Sequence, residues 1–198
     1  MTEHEPTKKR LIDTMMLLIQ RQGYHATGIS QVLAESKAPK GVLYHHFPGG
    51  KTELAAAAVR QAGGYIIARL ERLMAESADP VEGFSRFVRH YQQQLRETDY
   101  VFGCPIATLA LETAASIDAL QREVKAIFGQ MGAVVARMLA ASGLDDEAAA
   151  IQSTLLIALF EGALLLSKAQ RDPAPLEAAI IYLERQLRPQ LPGPPAAP

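Results

Sequence analysis

The chain has 198 residues, of which 48% are hydrophobic and 21% are charged, and its formal net charge is −1. A chain of this length and balance can bury a core, so disorder over most of the sequence is excluded and one large or two small domains are expected. The only cysteine is Cys104, which excludes a disulfide framework and a zinc site with four cysteine ligands, and fits a reducing compartment.

The spacing of apolar residues predicts an all-α chain. Alanine, leucine, glutamate, glutamine and arginine dominate, apolar residues recur at steps of three and four, and β-branched runs with strict alternation are almost absent. We predict helices over about 7–22, 27–36, 39–46, 51–76, 81–96, 106–114, 116–142, 145–170 and 174–187.

The first three predicted helices form a helix-turn-helix pattern. Thr7 is a candidate N-cap for the first helix, and Gly23 stands where a left-handed C-cap residue is expected. The second and third helices are short, and Pro39 in the break between them suits the first turn of the third. The breaker cluster 48–50 ends the third helix. Two short helices joined by a tight turn, after a longer supporting helix, are typical of this motif.

A longer helical body follows. We predict a helix-turn-helix domain over residues 1–50, a larger helical domain over 51–188, and a tail over 189–198. The tail contains five prolines and is expected to be disordered or extended. Gly63 and Gly64 are candidates for a bend in the fourth helix.

Nothing in the sequence predicts a membrane protein. The longest apolar stretch, Leu155 to Leu166, is interrupted by Glu161 and Gly162 and is too short to span a bilayer. The start of the chain, Met1 to Arg10, is polar and has no apolar segment behind it, so we predict no secretory signal. We therefore expect a soluble protein of the cytoplasm, with no membrane partner.

The charges are unevenly distributed. Residues 1–51 carry seven lysines and arginines against four acidic residues, whereas the rest of the chain carries 13 against 17. A basic amino-terminal part on an acidic body suggests a module that binds a polyanion such as DNA.

The residues after Pro39 suit a recognition helix. Such a helix needs small residues at its leading end to approach the floor of the major groove, and donors for the phosphates on either side. Gly41 permits close approach, while Val42 has only apolar reach, toward a thymine methyl group. Lys51 and the free N–H groups at the start of the fourth helix are expected to bind a phosphate jointly. The predicted DNA-binding set is Thr27, Lys37, Pro39, Lys40, Gly41, Val42, Tyr44, His45, His46 and Lys51.

Each of these residues also has a simpler explanation. Leu43 and Phe47, four apart, are expected in the core. One of His45 and His46 can simply pack, and an isolated tyrosine such as Tyr44 is more often a packing or surface residue than a DNA contact. The prediction of DNA binding therefore depends on the ordered set and the breaks around it.

The string PKGVLYHHFPGGKTEL closely resembles the DNA-binding segment of the TetR family of transcriptional repressors. The resemblance extends from the start of the first helix to about Leu54, and it implies phosphate contacts by Lys40, Tyr44, His45 and Lys51. Two departures stand out. Pro39 replaces the more usual serine, which removes a hydroxyl and an N–H, and the loop 48–50 is one residue longer than the common form.

A second, shorter resemblance concerns the middle of the chain. The double-glycine loop, the segment Gly103-Cys104-Pro105-Ile106-Ala107 and the following Glu112 are similar to the branch of this family that includes lincomycin-resistance-type repressors.

The family resemblance implies that the body binds a small inducer. Large, soft or aromatic residues from several helices can line an apolar cavity, although for any one of them a place in the plain core is the alternative. The predicted ligand-binding set is Tyr65, Phe87, Tyr91, Phe102, Cys104, Phe128, Met131 and Met138.

The family resemblance also implies a homodimer, which we assign to the last two helices because they are apolar on more than one side. The expected function is a ligand-responsive repressor that a small apolar or aromatic inducer releases from a palindromic operator in double-stranded DNA. The alternative is a helical ligand-binding or scaffold protein without inducible DNA release. No catalytic motif, cofactor or metal site is predicted, so we do not expect an enzyme.

Overall fold

The computed structural model describes residues 4–191, without the side chains of residues 4–6 and Gln190. Within this range the chain forms nine α-helices, a π-turn at Leu183–Leu187 and a 3₁₀ turn at Arg188–Gln190, and no strand, which confirms the all-α prediction. Residues 192–198 of the predicted tail lie outside the described residues. The helices are α1 (His4–Ala26), α2 (Ile29–Ser36), α3 (Lys40–His46), α4 (Gly50–Ala75), α5 (Pro80–Glu97), α6 (Pro105–Thr113), α7 (Asp118–Ala141), α8 (Asp146–Gln170) and α9 (Ala174–Tyr182).

The helices pack into two compact units, which we call the head and the body. The head contains the described residues up to Gly64 together with Cys104–Ile127, and the body contains Tyr65–Gly103 together with the described residues from Phe128 onward. Packing therefore adds α6 and parts of α4 and α7 to the helix-turn-helix. The assignment of separate functions to residues 1–50 and 51–188 stays a prediction.

The start of α1 differs from the prediction. The stripe Leu11, Met15, Leu18 and Ile19 is fully buried, as its three- and four-residue spacing requires. However, α1 begins at His4, so Thr7 lies inside the helix and the prediction of an N-cap is wrong. The Thr7 hydroxyl instead accepts a hydrogen bond of 3.0 Å from Nη2 of Arg10.

Gly23 interrupts the regular geometry of α1, close to where the sequence predicts its end. Its φ of 84° and ψ of 171° fall in a region that residues with a side chain rarely adopt. The position also has no space for a side chain, because a Cβ atom there would lie 1.9 Å from Oε1 of Glu112 in α6. Glycine is therefore needed both for the backbone angle and for the close approach of α6.

The turn between α2 and α3 lies where the sequence predicts a break, although Pro39 precedes α3 rather than lying in its first turn. Lys37 ends α2 in the left-handed region, with φ 53° and ψ 36°. Its N–H donates to the Ala34 carbonyl at 3.3 Å, and the Ala38 N–H donates to the Leu33 carbonyl at 3.2 Å, which satisfies two carbonyls at the end of α2. Pro39 is extended and precedes the first residue of α3. The turn thus presents α3 as a separate short helix.

The body is built around one face of α5. Asp79 caps this helix by accepting a 2.8 Å hydrogen bond from the Glu82 N–H, and the Glu82 carboxylate accepts one from the Ala78 N–H in return. The predicted apolar side of α5 is buried, and α8 and α9 pack against α5. The buried apolar side chains of α5 include Phe84, Phe87, Val88, Tyr91 and Leu95.

The glycine pair of α4 does not end the helix, which runs through to Ala75. Gly63 is buried, and a Cβ atom at this position would lie 2.6 Å from Cδ1 of Ile127 in α7. Within the head, this glycine therefore allows α4 to pack closely against α7. The helix is continuous through the glycine pair, and a bend at this position stays a prediction.

Two helices are long and apolar enough to cross a membrane, which corrects the expectation that no segment reaches this length. These helices are α7 and α8. They meet the criterion by length and composition alone, because each contains an apolar stretch of 18 residues with few charges. A packed core helix passes the same test, and α8 packs against both α5 and α9. The composition of these two helices is therefore weak evidence for a membrane.

Candidate nucleic-acid interface

The short helix α3 separates its side chains into a buried and an exposed side. Leu43 and Phe47 are buried in the head, 0% and 3% exposed, as expected for an apolar pair four residues apart. The opposite side is open to solvent, and nothing lies within 4 Å of the place that a Cβ atom of Gly41 would occupy. The exposed residues are Lys40, Gly41, Tyr44 and His45, which we call the α3 face.

The remaining predicted residues around α3 lie at its edges. Lys37 and Pro39 are exposed in the turn, and Val42 is half-buried. His46 is half-buried as well, and its ring centroid lies 6.3 Å from that of Phe47 and 5.1 Å from that of His45. Of the two histidines, His46 is therefore the one that packs, which the sequence left open.

Thr27 is not available to DNA, and its predicted phosphate contact is corrected. The side chain is fully buried, its hydroxyl donates a 2.7 Å hydrogen bond to the Gly23 carbonyl, and its N–H donates to the Tyr24 carbonyl at 3.1 Å. Thr27 thus holds the turn after Gly23 together. Sequence reasoning missed this role because it depends on the unusual backbone at Gly23.

Lys51 lies in the first turn of α4, and its side chain rests on Tyr24 near the end of α1. It is half-buried, with its Nζ atom 4.2 Å from the centroid of the Tyr24 ring, a cation–π distance. Burial lowers the pKa of Lys51, and the carboxylate of Glu112 opposes this shift. The Tyr24 ring therefore fixes the position of the ammonium group beside the start of α4.

The start of α4 already has one internal anion. The Gly49 N–H donates a 2.7 Å hydrogen bond to Oε2 of Glu53, which reaches back over the first turn. The Glu53 carboxylate therefore already accepts a hydrogen bond from one of the N–H groups next to the predicted phosphate site. A glutamate three residues into a helix is the signal that could have predicted this contact.

The predicted ligand-binding residues of the body have different environments. Phe87 and Tyr91 are buried and stack on Phe160 of α8, with ring centroids 5.1 and 4.9 Å from that of Phe160. Tyr65 is 64% exposed, which contradicts its prediction as part of a cavity wall. Phe160 was missed by sequence reasoning, because its place beside α5 follows from the packing of α8.

The other predicted residues have separate environments. In the body, Met131 is fully buried, Phe102 is half-buried, and Met138 lines a small cavity of about 360 Å³ beside the ion pair of Asp79 with Arg188. In the head, Cys104 is buried at the start of α6. Their shared role in ligand binding stays a prediction.

The body also contains an open groove of about 630 Å³ between α7 and α8. Its lining is mostly apolar or glycine, with Ser153, Thr154 and Glu161 as the polar members. Phe128, from the predicted set, forms part of the wall. The other lining residues are Gly129, Gly132, Ala133, Ala136, Ala150, Ile157 and Ala158.

Large apolar side chains are exposed on α8 and α9. Six of them are between 47% and 59% exposed, whereas Ile180, Leu183 and Leu187 point into the core. These last two helices thus contribute both to the core and to an exposed apolar surface, as their composition predicted. The exposed residues are Ile151, Leu155, Leu165, Leu166, Ile181 and Tyr182, which we call the α8–α9 face.

Comparison with known families agrees with both parts of this description. Residues 11–58 match the tetR family of bacterial regulatory proteins, and residues 80–180 match the C-terminal domain of LmrA/YxaF-like transcriptional regulators. The first match covers the helix-turn-helix, and the second covers most of the body together with α6.

Individual relatives match over most of the chain. The HTH-type transcriptional regulator YxaF of Bacillus subtilis is 39% identical over 89% of this chain and 92% of its own length, and LmrA of the same organism is 34% identical over 86% and 90%. The crystal structure of a TetR transcriptional regulator from Legionella pneumophila has the same fold, with a TM-score of 0.81 at 22% identity over 90% of this chain and 95% of the other. The chain therefore belongs to the TetR family of DNA-binding transcriptional regulators, in the group with an LmrA/YxaF-like C-terminal domain.

Proposed function

We propose that this regulator is a homodimeric repressor that a small apolar or aromatic inducer releases from a palindromic operator. The observation that carries the proposal is that the helix-turn-helix exposes a polar, cationic α3 face while the body exposes the apolar α8–α9 face. A protein with these two surfaces can bind DNA with one and a second copy of itself with the other. Since its target is chromosomal DNA, we place it in the cytoplasm.

The α3 face supplies the DNA contacts. Lys40, Tyr44 and His45 present a cation, a hydroxyl and an imidazole to the phosphates on either side of the major groove. Gly41 lets the α3 backbone approach the base edges, and Val42 offers a methyl contact to thymine. Because only one of these groups favours a particular base, most of the binding free energy is electrostatic and depends on salt.

Dimerisation through the α8–α9 face supplies the second half-site. A two-fold axis places the same apolar face of each copy against the other, so the residues of the α8–α9 face are buried once from each copy. Two copies of α3 enter successive major grooves only if their spacing is about 34–36 Å. This is why the proposed operator is a palindrome, and why a change in spacing releases the protein.

The groove between α7 and α8 is the proposed inducer site. Its volume lies in the usual range for small-molecule sites, and its lining is mostly apolar, with the Phe128 ring at one side. Ala158 lines the groove and is also exposed on α8, next to the α8–α9 face. A second copy docked on that face would therefore cover part of the groove and help to enclose the ligand.

Inducer and operator must affect each other equally. We expect the inducer to shift α4, the helix that contributes residues to both units and begins at Gly50, directly after the helix-turn-helix. If the inducer lowers operator affinity by some factor, the operator must lower inducer affinity by the same factor. Equal inducer affinities with and without operator would remove induction and favour the alternative of a ligand-binding or scaffold protein.

A DNA-binding titration tests the proposal. The full chain is titrated into a labelled duplex from the region upstream of its own gene, at several salt concentrations, beside a random duplex. We expect Lys40→Ala to weaken binding and to reduce the slope of log K against log salt by about one. Lys125→Ala, which removes an exposed lysine from α7, is the matched control. A strictly monomeric protein, or a Lys40→Ala variant that binds like the unaltered chain, contradicts the proposal.

A further inference from the structure

The contacts of Glu112 connect α6 to the end of α1. Oε2 of Glu112 accepts a 2.8 Å hydrogen bond from the His25 N–H, and the His25 ring atom Nε2 lies 3.1 Å from the Glu112 carbonyl oxygen. Oε1 packs against the α-carbon of Gly23, where a Cβ atom would lie only 1.9 Å away. The carboxylate thus fixes the residues on both sides of Tyr24.

Tyr24 connects the end of α1 to the start of α4. Its side chain is 5% exposed, and its Oη atom lies 3.1 Å from Oγ1 of Thr52. The face of the same ring holds Nζ of Lys51 at 4.2 Å from its centroid. Because Gly23 and His25 are held by Glu112, the direction in which the Tyr24 ring projects is set by the same contacts.

We propose that Glu112 is a positioning residue for DNA binding, which holds the Tyr24 ring so that the Lys51 ammonium group stays beside the first turn of α4. Glu112 attracts the Lys51 ammonium group, but in this proposal its effect on DNA binding comes through the backbone around Tyr24, and it does not touch DNA. A charge-assisted hydrogen bond to a backbone N–H is suited to this because it is short and directional. The inference rests on the proposed function and on the contact of Lys51 with a phosphate that the sequence predicts.

Glu112 follows the segment Gly103-Cys104-Pro105-Ile106-Ala107 that resembles one branch of the family. Its hydrogen bond with the His25 N–H gives this glutamate a physical role. The segment begins α6 at Pro105, and Glu112 lies two turns later, on the side of α6 that contacts α1. A glycine at position 23 is the necessary counterpart, since any side chain there would displace the carboxylate. Gly23 and Glu112 therefore form a matched pair, although they are far apart in the sequence.

A double-mutant cycle on operator binding tests the proposal. We expect Lys51→Met to reduce the slope of log K against log salt by about one and to weaken binding about tenfold at moderate salt. Glu112→Ala should have a similar effect on both quantities, because Lys51 loses its support. Glu112→Ala should add little in the Lys51→Met background, since residues that act as a unit are not additive. Asp118→Ala, which removes an exposed carboxylate of the head, is the control.

Two conservative variants separate position from charge. Glu112→Gln keeps an oxygen that accepts the His25 N–H, so it should bind like the unaltered protein. Glu112→Asp keeps the charge but is one methylene too short to reach that N–H, so it should behave like Glu112→Ala, and it serves in place of the alanine variant if that variant does not fold. The reverse order of these two variants would show an effect of charge and overturn the proposal.

The remaining outcomes are also decisive. If Glu112→Ala weakens operator binding equally in the unaltered chain and in Lys51→Met, or leaves the salt slope unchanged, its effect is on general stability. In that case this inference fails while the proposed function stands. If Lys51→Met itself binds like the unaltered protein, the predicted contact of Lys51 with a phosphate fails and this inference fails with it. The Lys40→Ala titration still reports on the rest of the proposed function in that case.

Discussion

The head and the body use their surfaces in opposite ways. In the head, apolar side chains such as Leu43 and Phe47 are buried and the polar α3 face is exposed, so the binding surface is polar by default. In the body, aromatic side chains around Phe160 fill the core, yet the six large apolar residues of the α8–α9 face remain exposed. The head exposes Leu17 and Leu111 as separate large apolar side chains, whereas the body groups six on the α8–α9 face, which a second copy can bury.

This difference has consequences for what a mutation does. A substitution on the α3 face is expected to change DNA binding with little effect on folding, because the side chains of this face are exposed. A surface substitution on the α8–α9 face is expected to change assembly, and DNA binding only as a result. Substitutions in the two cores should affect folding itself, and more strongly in the aromatic core of the body.

The largest expected effect is in the core of the body. Phe160→Ala removes a ring that contacts Phe84, Phe87 and Tyr91, and it should lower the free energy of unfolding by about 3–5 kcal/mol. Urea unfolding monitored by circular dichroism measures this loss. Phe128→Ala, at a half-buried position, is the matched control and should cost clearly less. Equal losses would show that the aromatic cluster is not the stabilising centre of the body.

The next effect concerns assembly. Leu155→Glu places a charge in the α8–α9 face, where Leu155 is 55% exposed, so the monomer should fold normally but no longer dimerise. Loss of the second half-site should then weaken operator binding by roughly 100-fold. Sedimentation velocity and a DNA titration measure the two effects. Leu111→Glu, at an exposed leucine of α6 outside this face, should leave the dimer intact. A dimeric Leu155→Glu variant would place the interface elsewhere.

A smaller effect distinguishes packing from DNA contact in the head. Thr27→Val keeps the shape of the buried side chain but removes its hydrogen bond to the Gly23 carbonyl, which should cost about 1 kcal/mol of stability. Because the Thr27 side chain is fully buried, the salt dependence of operator binding should not change. A reduced salt slope with unchanged stability would restore the phosphate contact that the sequence predicted.

The smallest expected effect is a pH dependence in the body. Burial lowers the pKa of His90 below its ordinary value of 6.5, and the positive charges of Arg69 and Arg72 lower it further, against the attraction of Glu97. His90 therefore binds a proton more readily in the unfolded chain than in the folded protein. Its contribution to the free energy of unfolding is fully present above pH 6.5 and is lost as the pH falls below that value.

Unfolding free energies at pH 7.5 and 5.5 measure this contribution. The loss of stability between the two values should be smaller in His90→Gln than in the unaltered protein. His45→Gln, at an exposed histidine of α3, should show the full loss. If His90→Gln loses as much stability as the unaltered protein, the pH dependence comes from other groups.

Much of the fold could be predicted because helices are local structures. The apolar stripe of α1, the turn at Lys37 and the break after Phe47 are encoded by residues within a few positions of each other, and the structure has them as predicted. The α3 face is similarly local, since the spacing of Leu43 and Phe47 decides which side of the helix is exposed. For this reason the structure of the helix-turn-helix could be predicted from local sequence patterns.

The ligand-binding residues show the limit of such reasoning. Apolar character alone cannot tell a cavity wall from packed core, so Phe87 and Tyr91 were predicted as pocket residues and lie in a closed aromatic cluster. Tyr65 has the same chemistry and lies at the surface. Which of these places a side chain takes depends on the faces of other helices, which no local pattern specifies.

By itself, the sequence determined the all-α class and the approximate position of each helix, which short helix is expected to approach DNA, and which helices carry apolar residues on more than one side. Only the tertiary structure decided that Thr27 is buried, that Lys51 rests on Tyr24, and that Glu112 reaches the end of α1. The physical reason is distance along the chain. Periodicity and capping act over a few residues. Glu112 and His25 are 87 residues apart in the sequence and meet only because α6 packs against α1.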